Sequence, residues 1–169
     1  MPRPSPPQSV PRSLRGDDVS LWHGDVATVG LAEMAPGTLI ENLGIEIVEI
    51  RDDALVGRMP VDHRTVQPAG VLHGGASVAL AETLASWAGH LAVDRERFHV
   101  VGQEINANHI RPVTTGWVTA TVTPTNIGRR AHVWEIRIVD DAGKLVCISR
   151  CTLAVIEHRS TYATPDARG

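Results

Sequence analysis

Residues 67–93, QPAGVLHGGASVALAETLASWAGHLAV, decide how this chain folds. From position 75 to 93 alanine, leucine and valine dominate and proline is absent, which predicts a helix of about twenty residues, the only long one on offer. Its apolar residues Val78, Ala79, Leu80, Ala81, Leu84, Ala85, Trp87, Ala88 and Leu91 cover nearly the whole circumference. A helix that is apolar all round is expected to be buried.

Outward from that helix the texture is strand-like. Beyond Phe98 come four blocks, at 100–111, 116–127, 131–140 and 145–156, with turns at 112–116, at Gly128 and at Asp140-Asp141-Ala142-Gly143. Before the helix, alternation at Ile45, Ile47 and Val48 leads through the charged turn Arg51-Asp52-Asp53 to a returning strand at 55–59, which predicts a hairpin. Residues 20–43 suggest one or two short helices broken at Pro36-Gly37. One buried helix with about six antiparallel strands predicts an α+β arrangement in which a curved sheet wraps the helix. Blocks of roughly twelve residues exceed the usual strand and suit a strongly bent sheet.

The 169 residues are 43% hydrophobic, enough for one domain with a sizeable core, expected over 23–158. Residues 1–22 open with prolines at 2, 4, 6, 7 and 11 and read as a disordered tail, and 159–169 as a flexible one. A net charge of -3 gives no basic stripe for nucleic acid or an anionic membrane, so the expected partner is a small molecule. There is neither an uninterrupted apolar run of roughly 20 residues nor a secretory h-region, and a cytoplasmic location is expected. Cys147 and Cys151 stand four apart in a strand, roughly 13 Å on one face, too far to bridge. They read as reduced core cysteines, and no metal site is expected.

Within the helix segment, polar groups fall at awkward places. His73, Gly74 and Gly75 lie where the helix starts, so free NH groups and the positive end of the dipole point outward, as a developing oxyanion requires. Two turns on, Glu82 interrupts the apolar surface, with Ser86 four residues later on the same face. A carboxylate in a buried helix is costly, and with water excluded it becomes a stronger base or nucleophile. Alone, Glu82 would pair with an arginine or reach solvent, His73 would bond backbone, Ser86 would be a small packing residue and Gln67 a turn residue. Their company is what favours a site. Trp87, Trp117 and Trp134 read as core or interface.

The string LHGGASVALAET, with Gln67 ahead and Ser86 behind, resembles the signature of hotdog-fold thioesterases of the 4-hydroxybenzoyl-CoA thioesterase type. It is similar to the 1,4-dihydroxy-2-naphthoyl-CoA hydrolases and the thioesterases that proofread enterobactin synthesis. The likeness runs from about Asn42 to Ile156 and includes MPVDHRTVQPAGVLHGG, VVGQEINANHIRPV and the GRR…WEI block. It implies hydrolysis of an acyl-CoA or aryl-CoA to a free acid and CoA, with no cofactor beyond the CoA of the substrate. By the same resemblance Glu82 is the nucleophile or general base and the Gly74 NH polarises the thioester carbonyl. Gln67 and His73 help hold the thioester, and Ser86 orients water or the carboxylate. The family commonly assembles as a homo-oligomer, a dimer of dimers with sites between subunits, to which the strand bearing Asn106 and Asn108 could contribute.

CoA phosphates call for basic residues, so Arg111, Arg129 and the adjacent Arg130 are candidates, with Gly75 and His109 as further binding residues. Ile110 departs from the paired histidine of close relatives. The competing class is a non-catalytic acyl-CoA binding or sensing module. A sensor would usually carry a DNA-binding domain, for which the short N-terminal tail leaves no room.

Overall fold

The computed structural model describes residues 20–158. Two short 3-10 turns, Val26–Thr28 and Leu31–Met34, precede helix α1, Leu39–Leu43. Strands β1, Glu46–Ile50, and β2, Leu55–Pro60, form the expected hairpin, and helix α2 follows over Gly74–Ala92. Four strands follow: β3, Phe98–His109; β4, Trp117–Ile127; β5, Ala131–Asp140; and β6, Leu145–Glu157.

All six strands join one antiparallel sheet in the order β1-β2-β4-β5-β6-β3. The strand that leaves the helix therefore returns to the far edge, where β3 pairs with β6 and leaves its other side open. Register shifts at Gly102/Glu104 in β3 and at Pro124/Asn126 in β4 are bulges, each of which bends a long strand. Pro124 stands beside the second bulge, one of the few places where a strand interior tolerates proline. The sheet curves round α2, as the alternation of long blocks predicted.

The core lies between sheet and helix. Leu80, Leu84 and Leu91 of α2 meet Val118, Val122, Trp134, Ile136, Ile138 and Leu153 of the strands, all fully buried. Helix and β2 approach so closely that a Cβ at Gly57 would stand 2.6 Å from a Leu84 methyl. Burying each such leucine contributes about 1.5–3 kcal/mol.

Two expectations need correction. Helix α2 is not buried all round: Gly75 and Glu82 are exposed, and Val78, Ala79, Thr83 and Ser86 are half-buried. A single curved sheet covers only one side of a helix, so the residues at 75, 79, 82, 83 and 86 form a stripe left outside it. Glu82 is thus no buried carboxylate within one chain. Nor does the tail run to residue 22. Leu21 and Trp22 are buried, with the Trp22 ring stacked on Trp134 at 6.5 Å and its Nε1 donating to the Arg51 carbonyl at 2.6 Å. The remainder of the expected tails, 1–19 and 159–169, lies outside the described residues.

Candidate active site

The turn before α2 is built by hydrogen bonds that fix where the helix begins. Gly70 NH donates to the Gln67 carbonyl and Gln67 NH to the Val71 carbonyl, while Ala69 NH donates to the Gln67 side-chain oxygen at 2.6 Å. Leu72 NH then reaches the Val113 carbonyl and His73 NH the Thr65 carbonyl, which anchors the segment between two loops. Gln67 is half-buried and serves here as a turn residue.

His73 is the N-cap of α2. Its Nδ1 accepts from Gly75 NH at 2.8 Å, and its carbonyl accepts from Ala76 and Ser77 NH. An accepting Nδ1 places the ring proton on Nε2. The first-turn donors are thus taken one by one, except that of Gly74, which has no acceptor among the described residues. A free NH at the positive end of a nineteen-residue helix is the group an oxyanion seeks. Glycine is required there for space, because a Cβ at Gly74 would lie 2.7 Å from Nε2 of His109, whose ring packs on the helix start. The structure therefore unites Gly74 with His109, although β3 carries that histidine at its far end.

The open stripe of α2 forms the floor of a cavity of about 490 Å³. Glu82, Thr83 and Ser86 supply its polar groups, and Val78, Ala79 and Trp87 its apolar ones, with Leu39 and Ile40 of α1 closing one side. The Glu82 carboxylate has no hydrogen bond or ion pair among the described residues. It reaches over β3 beside Gly102. Its field is felt in the core between helix and sheet. The buried Cys151 thiol is pushed up to about 12, first by burial and then by the Glu82 and Glu104 carboxylates. Burial likewise raises Cys147, so both free cysteines are inert.

The basic candidates separate. Arg111 is exposed just beyond His109, where its NH donates to the Val146 carbonyl at the start of β6. Arg129 is exposed in the β4–β5 turn, whose Arg130 carbonyl accepts from Val155 near the end of β6. Val146 and Val155 are nine steps apart on β6, roughly 30 Å of strand, so one chain does not bring the two arginines together. Sequence reasoning missed the walls at Leu39 and Ile40, the Thr83 hydroxyl and Gly102. Gly102 had a usable signal, being a glycine inside a strand, where glycine is disfavoured unless something approaches the backbone.

Known proteins resemble this chain in sequence and in fold. Residues 69–147 match the model of the Thioesterase superfamily. The chain is 47% identical over 136 residues to the proofreading thioesterase EntH of Cronobacter turicensis, covering 80% of this chain and 98% of that protein. It is 45% identical over 136 residues to the 1,4-dihydroxy-2-naphthoyl-CoA hydrolase of Escherichia coli, covering 80% and 99%. A thioesterase crystal structure from Haemophilus influenzae superposes with a TM-score of 0.79 at 48% identity, over 85% of this chain and 99% of that one. With relatives this similar along nearly their whole length and a six-stranded sheet curved round a long helix, the chain belongs to the thioesterase superfamily, as a hotdog-fold enzyme.

Proposed function

We propose that this enzyme hydrolyses an acyl-CoA or aryl-CoA thioester, with Glu82 as its reacting carboxylate and the Gly74 NH as the oxyanion donor. The observation that carries the reading is the pairing of two unoccupied groups on one helix, a donor at its start and a carboxylate on its open stripe. As nucleophile, a Glu82 oxygen bonds to the carbonyl carbon, the C–S bond breaks and CoA leaves as thiolate. Water then splits the mixed anhydride and returns the carboxylate. As base, Glu82 takes a proton from the water that attacks the carbonyl carbon directly, the C–S bond breaks, and CoA leaves as the thiolate and takes up that proton. Both routes place negative charge on the carbonyl oxygen, and one oriented NH there supplies about 3 kcal/mol. Neither route calls on a metal or organic cofactor. Ser86 lies one turn from Glu82 to orient water, His73 sets the helix start that aims the Gly74 NH, and Gln67 holds the turn before it. Gly75 and His109 border the thioester, and Arg111 and Arg129 receive CoA phosphates. The described residues contain no helix long and apolar enough to cross a membrane, and the reading places the enzyme in the cytoplasm.

Spacing supports a site shared between copies. Gly74 and Glu82 are eight residues apart, about 12 Å along the helix axis and some 80° around it. A thioester carbonyl bound to Gly74 NH lies about 3 Å from it, beyond the reach of the same chain's Glu82, which rests on β3. A second chain with its helix antiparallel to the first brings one Gly74 to the other's Glu82, twice by symmetry. Two features favour that contact: the twelve-residue edge of β3, with Val101 exposed, and the half-buried Val78 and Ala79 on the stripe. The assembly proposed is a homo-oligomer, a dimer of dimers.

The test is thiol release from benzoyl-, phenylacetyl-, naphthoyl- and fatty acyl-CoA, compared by kcat/KM, with Glu82→Gln as control. Turnover by the wild-type protein and its loss in Glu82→Gln is the expected result; full activity in the variant removes Glu82 from the reaction. Binding of acyl-CoA without thiol release would instead favour the sensing module. Co-expressing Glu82→Ala with His73→Ala tests the shared site. Regained activity in the mixed oligomer is expected, since one of its two sites is intact, whereas a site within one chain gives none.

A further inference from the structure

Gly102 stands in the middle of β3, at the bulge where Gly102 pairs with Leu153 and Glu104 with Thr152, leaving Gln103 unpaired. Glycine weakens a strand interior, so its presence needs a cause. Backbone conformation is not the cause, because Gly102 is not among the residues with positive φ. Space is. A Cβ built there would lie 2.8 Å from Oε1 of Glu82 and 3.9 Å from its Cδ, with no other atom within 4 Å. A Cβ would also crowd a carboxylate at Gly30, against Glu33, and at Gly116, against Asp141, but both have positive φ, which by itself calls for glycine; at Gly57 it meets Leu84 and the Glu46 carbonyl and at Gly89 Leu153 and Val100, which are contacts of the core. Among these glycines only Gly102 combines an ordinary φ with a carboxylate in place of the missing side chain.

We infer that Gly102 is a positioning residue for catalysis, its bare backbone providing the seat on β3 that sets where the Glu82 carboxylate lies. The inference rests on Glu82 being the reacting group. Any side chain at 102 displaces the carboxylate from the strand, and because the displaced group is the free end of a flexible side chain, the fold accommodates the change. A shift of about 1 Å in a reacting group lowers turnover roughly 100-fold. Substrate contacts elsewhere are untouched, so the loss falls on kcat and not on KM.

The experiment is a four-way comparison of wild type, Gly102→Ala, Glu82→Ala and the double variant, reading kcat, KM, melting temperature and oligomer mass. Expected for Gly102→Ala is a fall in kcat of about 10- to 100-fold with KM within about twofold, mass unchanged and melting temperature no higher than wild type. In the Glu82→Ala background the seat is empty, so the same alanine should raise the melting temperature, since it restricts the unfolded chain and meets nothing. Wild-type kcat in Gly102→Ala, with Glu82→Ala inactive, overturns the positioning role and leaves the Glu82 assignment standing. Full activity in Glu82→Ala overturns the assignment itself. A kcat loss accompanied by altered mass, or an identical change in melting temperature in both backgrounds, marks Gly102 as merely structural and also overturns the inference.

Discussion

Helix α2 presents two faces made from the same small vocabulary of residues, and they do different work. On the packed face Leu80, Ala81, Leu84, Ala85, Ala88 and Leu91 have no exposed surface, and what matters there is volume, matched against Gly57 and the strand side chains. On the open stripe Gly75, Val78, Ala79, Glu82, Thr83 and Ser86 line a cavity, and what matters is where polar atoms stand. The difference teaches that stability and turnover are separable within nineteen residues. Substitutions on one face should move one quantity and spare the other.

The largest effect expected is on the open stripe. Glu82→Ala should lower kcat about 1000-fold or more, as removal of a catalytic carboxylate does, while the melting temperature stays within about 2 °C, because the side chain makes no hydrogen bond or ion pair among the described residues. Next comes the packed face. Leu84→Ala removes a fully buried side chain and should cost about 3 kcal/mol in urea denaturation, with kcat per folded molecule retained. Loss of activity in Leu84→Ala without loss of stability would break the division between faces. Ser86→Ala, half-buried in the cavity, sharpens it further: kcat should fall about tenfold through loosened water or carboxylate, with stability unchanged.

Much of this division could be read from residue types. The leucines and alanines of α2, the charged turn at Arg51-Asp52-Asp53 and the Pro36-Gly37 break located helix, hairpin and the joint before α1 through periodicity and turn chemistry, which are local properties. Which side of α2 would stay open was not local. Val78 and Ala79 are as apolar as Leu80 and Ala81, and only the curvature of the sheet decides which pair it covers. The set Gln67, His73, Gly74, Glu82 and Ser86 was visible as a motif, yet Gly74 with His109, and Glu82 with Gly102, come together only because β3 returns to the far edge of the sheet. Trp22 fell on the wrong side of an expected boundary for a similar reason: its partner Trp134 lies in β5, and a proline-rich approach hid it.

The smallest effect is a slope. His132 lies on the inner side of β5, 3% exposed, its ring edge-on to Trp134 at 6.0 Å and its Nδ1 without a partner. Burial holds this imidazole below its ordinary value. In the unfolded chain it takes a proton as pH falls through about 6.5, whereas the folded protein resists until lower pH. The unfolded state therefore binds more protons across that interval, and stability, fully present above pH 7, declines as pH drops from about 6.5 toward the depressed folded value. His132→Leu should flatten this decline without abolishing it, because His90 in the last turn of α2 is lowered too, by burial first and then by Arg95. Denaturation midpoints between pH 7.5 and 5 measure the slope, and kcat over the same range supplies the comparison. If the two faces of α2 are independent, the variant changes the pH dependence of stability and leaves the pH profile of turnover where it was, since His132 is buried beside Trp134 and the Glu82 carboxylate stands on the open stripe. A matched change in both profiles would mean that a proton in the core reaches the carboxylate on the open stripe, through the Cys151 layer that already feels its charge.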